Sequence, residues 1–379
     1  MNTKQSNRIS WIDNAKFLAI ICVIVGHSFS MIEGDFKGYD EFNLFIVAFN
    51  MPLFAMLSGV TSFKSLSRIQ TFADLYNYFN KILWHVGVPT VVYTLIAMSI
   101  SYAMSARFER AIISLGFLIL LGLCIYYLRF SKYSGKHQPL DHIFPYLILP
   151  ICLINQSVWY FVYVLLAMLS AGLSTWIANR FSNHRMLVFL FTFLFLSVVI
   201  SPASPFYSTL ELYLPFIIGF VYSSRRGLQP GKFASNKTFF ATLLGLGLVG
   251  VILFLQYVSI ENQFYLLDFF KAYREEAIGV FINRQLSAVM LSIFLALLIQ
   301  HFSKTYNIIS KLGAMSFGLY PIHAEIIGII KNYSPRVAFS PLIDILFVLI
   351  LALLLLSISA LLISQIRKSA YCKLILLGE

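Results

Sequence analysis

Charge is what this sequence has least of: Asp, Glu, Lys and Arg make up 12% of its 379 residues, about half the share usual in soluble domains. That scarcity excludes an ordinary water-soluble globule, whose surface needs the missing charge. Cysteine is sparse too. Cys22, Cys124, Cys152 and Cys372 form no CxxC and pair with no histidines in sequence, which leaves neither a zinc site nor a disulfide framework, and no metal is expected. GxSxG, HExxH, GxxxxGK[ST] and GxGxxG are all missing, so the usual hydrolase, metallopeptidase and nucleotide loops are excluded. No low-complexity tract or clear internal repeat is present, and the longest polar stretches, near 63–81 and 260–278, are too short for a soluble domain. Any chemistry must come from single side chains spread over several helices.

What is there is apolar: 59% of residues are hydrophobic and 16% aromatic. They fall into runs close to the roughly 20 residues that a bilayer-spanning helix needs. Candidate spans are 11–31, 43–62, 82–104, 110–130, 140–155, 157–178, 186–200, 210–222, 239–259, 279–302, 314–331 and 340–365. Those at 140–155, 186–200 and 210–222 are short enough to be re-entrant, tilted or buried by neighbours. The expected fold is all-α, a polytopic transmembrane helical bundle of about ten to twelve spans forming one membrane domain over 1–379.

The net charge of +12 does not mark a nucleic-acid surface, because the basic residues sit in short loops and not on one face or tail. They follow topology instead. With a cytoplasmic N-terminus and twelve alternating spans, the inside segments carry nineteen Lys and Arg against three acids, and the outside loops seven against nine. That asymmetry is the positive-inside pattern and puts both termini in the cytoplasm. The first span could pass for a secretion signal, with Lys4 and Arg8 ahead of it and Ser28-Phe29-Ser30 near its end. Asp13, Lys16 and His27 interrupt it in a way that a cleaved signal does not need.

Those three residues are the first candidate constellation, since ionisable groups inside spans are costly and usually face a cavity or a partner. Lys16 and His27 are eleven residues apart, which on a helix is 20° beyond three full turns and about 16 Å of depth. Asp13 falls 40° to the other side of His27 and within ion-pairing reach of Lys16. A bland reading remains open: an interfacial Asp13–Lys16 pair and an interfacial histidine. The functional reading rests on imidazole, which near neutral pH accepts a proton from a hydroxyl or acts as a nucleophile.

A second constellation lies in Ser316-Phe317-Gly318-Leu319-Tyr320-Pro321-Ile322-His323. Ser316, Tyr320 and His323 share one helical face, Glu325 points away, and Pro321 distorts the helix. Interhelical hydrogen-bonding glue is the competing explanation. Lys81 and His85, four residues apart before Pro89, could meet an anionic ligand or anchor an interface. Arg225 and Arg226 form the strongest basic cluster with Lys232 and Lys237, read equally as phosphate binding or topology signal. Arg284 lies about one turn inside a span, where snorkelling is cheap. Trp159-Tyr160 reads as an aromatic belt or a sugar-stacking platform.

With these residues in view, the chain resembles the acyltransferase-3 family of polytopic membrane acyltransferases. Trp11-Ile12-Asp13-Asn14-Ala15-Lys16 through Gly26-His27 is similar to its first-helix signature, and Asn50-Met51-Pro52-Leu53-Phe54 to Ser58-Gly59 to its second-helix segment. Val158-Trp159-Tyr160-Phe161, Tyr213-Leu214-Pro215-Phe216 to Gly219, and Ser316 to His323 resemble three later elements, in family order. Lys16 stands where many members carry Arg, as in the branch resembling fucose 4-O-acetylases, so a bidentate phosphate contact gives way to a point charge. Lys81 and His85 match only part of the basic run usual before the third-helix proline.

The resemblance implies acyl transfer, usually acetyl from cytoplasmic acetyl-CoA, to a hydroxyl of a cell-surface or lipid-linked glycan across the membrane. It implies acetyl-CoA as co-substrate with no permanently bound cofactor. The acceptor would be an exopolysaccharide, O-antigen or lipid-linked sugar, in contact with membrane lipids of a bacterial cytoplasmic (inner) membrane, with no nucleic acid. In this reading Lys16 steers the CoA end, Asp13 orients Lys16, and His27 deprotonates the sugar hydroxyl or briefly carries the acyl group. Ser316, Tyr320, His323, Lys81, His85, Arg225, Arg226, Trp159 and Arg284 are the expected binding residues. A secondary transporter of sugars or lipid-linked sugars is the alternative, which predicts internal pseudo-symmetry and paired broken helices. A sensor or scaffold would have no use for two polar stripes.

Overall fold

A computed structural model describes residues 9–32, 39–130, 143–144, 146–147, 150–151, 159–200, 208–226, 236–258, 275–302, 307–333, 337 and 340–379. Its regular elements are helices: α1 Ser10–Phe29, α2 Tyr39–Leu66, α3 Phe72–Ile82, α4 Val88–Met104, α5 Phe108–Phe130, α6 Trp159–Ala178 and α7 Arg185–Ile200. The series continues with α8 Ser208–Arg226, α9 Asn236–Val258, α10 Glu275–Phe302, α11 Asn307–Gly313, α12 Ser316–Tyr333, α13 Pro341–Ile366 and α14 Ala370–Leu377. A single π-helical turn, Leu83–Gly87, joins α3 to α4 without a break. Beyond helices, Ile32 and Val337 form an isolated parallel bridge.

An all-α polytopic fold is therefore what the chain adopts. Among the described residues, eight helical segments are long and apolar enough to cross a membrane, and Arg185–Ser197 and Leu212–Ser224 are shorter apolar helices. Eleven of the twelve expected spans coincide with helices; the remaining one, 140–155, falls mostly outside the described residues. Two stretches expected to be loops are helical. Residues 72–82 extend the third span backwards, and 307–313 form α11.

Burial runs opposite to that of a soluble protein. In an 18-residue apolar stretch of α5 22% of the residues are buried, against 72% in such a stretch of the less apolar Phe72–Met104 segment. Leu123 and Phe117 on α5 and Leu361 on α13 stand exposed, as expected of side chains whose solvent is lipid. Many hydroxyls are satisfied within their own helices: Ser28 donates to the Ile24 carbonyl, Ser58 to Phe54, Thr90 to Val86 and Ser197 to Phe193. This is the solution that a medium without water favours.

The chain divides into two compact units. One comprises residues 1–63, 210–316 and 337–353; the other comprises 64–209, 317–336 and 354–379. In the first, α2 and α8 cross with their backbones nearly touching. A Cβ on Gly59 would lie 2.0 Å from the Phe216 carbonyl oxygen, and one on Gly219 would lie 1.9 Å from that of Met56. Small residues also bring α9 onto α10, where Gly247 lies under the Phe294 ring and the Ser287 hydroxyl donates to the Gly250 carbonyl at 3.0 Å. In the second unit α3 lies on α6, with the Tyr78 ring over Gly172 and its hydroxyl donating to the Met168 carbonyl at 3.3 Å. Ser99 of α4 and Ser114 of α5 share a 2.8 Å hydrogen bond.

Candidate active site

Helix α1 is unbroken from Ser10 to Phe29, so Asp13, Lys16 and His27 keep their helical register. All three are half-buried, while Ala15, Ala19, Ile20 and Val23 are buried. Asp13 sits in the first turn and His27 in the last, the ends at which the helix dipole favours an anion and a cation respectively. Helix α11 clamps the Asp13 end. A Cβ on Gly313 would come within 1.8 Å of the Asp13 carbonyl oxygen, and the Ser310 hydroxyl donates to Oδ1 of buried Asn14 at 2.8 Å. Only glycine permits that approach.

The His27 end is fixed by its own turn and by packing. The His27 carbonyl accepts hydrogen bonds from the backbone N–H and the hydroxyl of Ser30. Phe29, Ile32, Ile46 and Val348 form a core against which Cys22, Val25 and Phe347 pack. Gly26, next to His27, faces Asn43 of α2, whose Oδ1 lies 3.3 Å from where a Gly26 Cβ would be. That oxygen is buried and has no hydrogen-bond partner among the described residues. An acceptor of this kind can take a hydrogen bond from a group that brings a hydroxyl or N–H.

The second stripe is enclosed more tightly. Ser316, Tyr320 and His323 are 8%, 4% and 0% exposed. Nδ1 of His323 lies 2.7 Å from the Leu319 carbonyl, which can only accept, so Nδ1 carries the proton. Tyr320 packs at 5.4 Å from Tyr160 and 5.6 Å from Phe161, and Phe317 stacks on Phe161 at 4.2 Å. Pro321 stands inside the helix and cannot donate to the Phe317 carbonyl four residues back. Gly318 makes room for Leu377 and Ile363, whose side chains would lie 2.6 and 3.1 Å from an added Cβ.

The remaining candidates are spread out. Lys81 is exposed in the last turn of α3. His85 lies in the π-helical turn, with Nδ1 hydrogen-bonded to the Gly378 carbonyl. Arg225 and Arg226 end α8, and their side chains lie outside the described set. Trp159 opens α6, and its side chain is likewise outside that set. Arg284 is half-buried in α10. Asp13, Lys16, His27, Arg225, Arg226, Arg284 and Ser316 belong to the first compact unit, and Lys81, His85, Trp159, Tyr320 and His323 to the second.

The first unit also holds an apolar cavity of about 160 Å³, lined by Trp11, Met56, Gly219, Tyr222, Ala296 and Gln300 among others. Among the described residues no three His, Cys, Asp or Glu side chains are grouped as a metal ion would require. Sequence reasoning missed Asn14, Asn43, Ser310 and Gly313. The local hints were Asn14's place inside the first-helix signature and Gly313's place three residues ahead of Ser316.

A family model described as an acyltransferase domain matches residues 9–364. No curated protein matches, nor does any solved structure.

Proposed function

The chain belongs to the acyltransferase-3 family, whose model covers it almost end to end, and from that premise we propose that it transfers an acetyl group from cytoplasmic acetyl-CoA to a glycan hydroxyl on the opposite face of the membrane. That it is an integral, multi-pass membrane acyltransferase follows from the family and the apolar helices together. The donor, the acceptor class, the fucose 4-O-acetylase-like branch, the cytoplasmic termini and the bacterial inner membrane are part of the proposal. So is the acceptor's identity as an exopolysaccharide, O-antigen or lipid-linked sugar.

One observation carries the reading: a continuous helix bears half-buried Asp13, Lys16 and His27 on one face, about 16 Å separating the cation from the imidazole. That span is comparable to the reach of a pantetheine arm. Lys16 attracts the anionic CoA end, and Asp13, fixed by Gly313 and the Asn14–Ser310 bond, orients Lys16. His27 takes the proton from the sugar hydroxyl as its oxygen attacks the thioester carbonyl. The C–S bond then breaks, and CoA leaves as a thiolate that gains a proton. Lys81, His85, Arg225 and Arg226 are assigned to the donor, Trp159 and Arg284 to the acceptor, and the enclosed Ser316, Tyr320 and His323 to supporting the site.

Inside-out vesicles given radiolabelled acetyl-CoA, with mass analysis of the glycan, test this. Label is expected on the glycan with the wild-type protein and not with His27→Ala of equal abundance. Normal labelling by that variant would overturn the assignment, and movement of intact sugar without acylation would favour the transporter.

A further inference from the structure

Helix α14 is capped at its start by Ser369, whose hydroxyl accepts from Cys372 N–H at 3.3 Å, and at its end by Gly378, which adopts the left-handed conformation with φ of 64°. Gly378 N–H donates to Leu374 and Glu379 N–H to Lys373, the pattern of a glycine-closed helix end. Glycine is required there twice over. It takes the positive φ without strain, and a Cβ would lie 1.9 Å from the His85 carbonyl oxygen. That carbonyl is one to which Pro89, four residues on, has no N–H to give.

The same turn reaches the His85 ring, because the Gly378 carbonyl is hydrogen-bonded to His85 Nδ1. Three further contacts hold the segment in place. Tyr371 hydroxyl donates to the Gly122 carbonyl of α5. Arg367 and Lys373 hold the Glu379 carboxylate at 2.5 and 3.6 Å. Leu377 sits over Gly318 of α12.

We propose that residues 370–379 form a clasp that positions His85 and selects its tautomer, so that Nε2 serves as a hydrogen-bond acceptor toward an N–H or O–H group of the acyl donor. The chemistry is direct. A carbonyl oxygen accepts only, so Nδ1 carries the proton, and the neutral ring has its lone pair on Nε2. Such a nitrogen repels a phosphate and suits the amide or hydroxyl groups of a pantetheine arm. Charge for the phosphates then falls to Lys81, one turn earlier. The ligand half of this inference rests on the acyl-donor function proposed above; the clasp itself does not.

Full-length protein in lipid bilayers, labelled with ¹⁵N-histidine, gives the tautomer from the ring nitrogen shifts, assigned by difference with His85→Asn. Protonated Nδ1 and unprotonated Nε2 are expected, and an Nε2-protonated ring overturns the clasp. His85→Asn places an amide N–H where Nδ1–H was, so trypsin cleavage at Arg367 and Lys368 should stay as slow as in wild type. KM for acetyl-CoA should rise at least tenfold with kcat little changed. His85→Leu and Gly378→Ala should speed cleavage and raise KM alike. A wild-type KM in His85→Asn would reduce His85 to a structural tie and overturn the ligand contact. A wild-type protein that transfers no acetyl group sinks the acyl-donor function, while the shifts still decide the clasp.

Discussion

On α1 the stripe of Asp13, Lys16 and His27 is half-buried, whereas on α12 Ser316, Tyr320 and His323 are enclosed almost completely. Each helix carries three polar side chains on one face, a histidine among them, and their surroundings separate the roles. His323 gives its Nδ1 proton to its own helix, and Tyr320 is walled in by Tyr160 and Phe161. A ligand would have to displace packed aromatics to reach them. The α1 side chains keep accessible surface, and what is fixed there is the backbone, by Gly313 and by Ser310. Rigid backbone with reachable side chains is what positioned chemistry needs; α12 reads as support.

The largest effect that sharpens this contrast is loss of the base. His27→Ala should lower kcat by about 10²–10⁴-fold, the usual worth of a general base, or about 2.7–5.4 kcal/mol of barrier. Thermal midpoint should hardly move. Steady-state transfer in bilayers, normalised to folded protein, measures it. His323→Leu giving an equal loss of kcat at unchanged stability would erase the distinction between the stripes.

Next comes the backbone crossing that carries two of the five sequence elements. Gly59→Ala or Gly219→Ala would drive a methyl to within 2.0 Å of a carbonyl oxygen, so α2 and α8 must part. A loss of about 2–4 kcal/mol is expected, read as a fall in melting temperature in micelles. Gly116 and Gly245 have nothing within 4 Å of an added Cβ. Alanine at either should be neutral or slightly stabilising, and equal damage at all four glycines would refute the crossing.

Below these lies His323→Leu itself. It removes the bond to Leu319 with little change in volume, for a cost of about 1–1.5 kcal/mol. Transfer per folded molecule should stay within about tenfold of wild type, a stability phenotype opposite to that of His27→Ala. Denaturation and activity measured on the same sample separate the two.

How far the sequence foretold this depends on range. The α1 stripe was legible because helical arithmetic over eleven residues needs no tertiary information, and α1 is unbroken. Most spans were legible because lipid demands long apolar runs. The pairings were not. Gly59 with Gly219 and His85 with Gly378 join residues far apart in the chain, and no local pattern encodes which glycine meets which carbonyl. Asn43 escaped notice for the same reason. As a polar residue at a span edge it looks interfacial until Gly26 is seen against it. Helix α11 is seven residues long, too short for a periodicity to register.

Helix α3 is the instructive miss, and it sets the smallest prediction. Residues 72–82 include Asp74, Asn77, Asn80 and Lys81, a polar density that argues for a loop when the only question is membrane crossing. The start signal was nevertheless present. Thr71 accepts from Asp74 N–H at 3.1 Å, and the Asp74 carboxylate accepts from Thr71 N–H at 2.8 Å, a complete capping box. Because α3 runs through the π-helical turn into α4, the cap sets the register of the helix that presents Lys81 and His85. Thr71→Ala should cost about 1 kcal/mol, seen as faster amide exchange confined to 72–82. Thr71→Ser should restore it, since the hydroxyl and not the methyl does the capping. If Thr71→Ala also raised KM for acetyl-CoA while leaving kcat intact, the polar start of α3 would belong with His85 in the donor region and not merely with its scaffold.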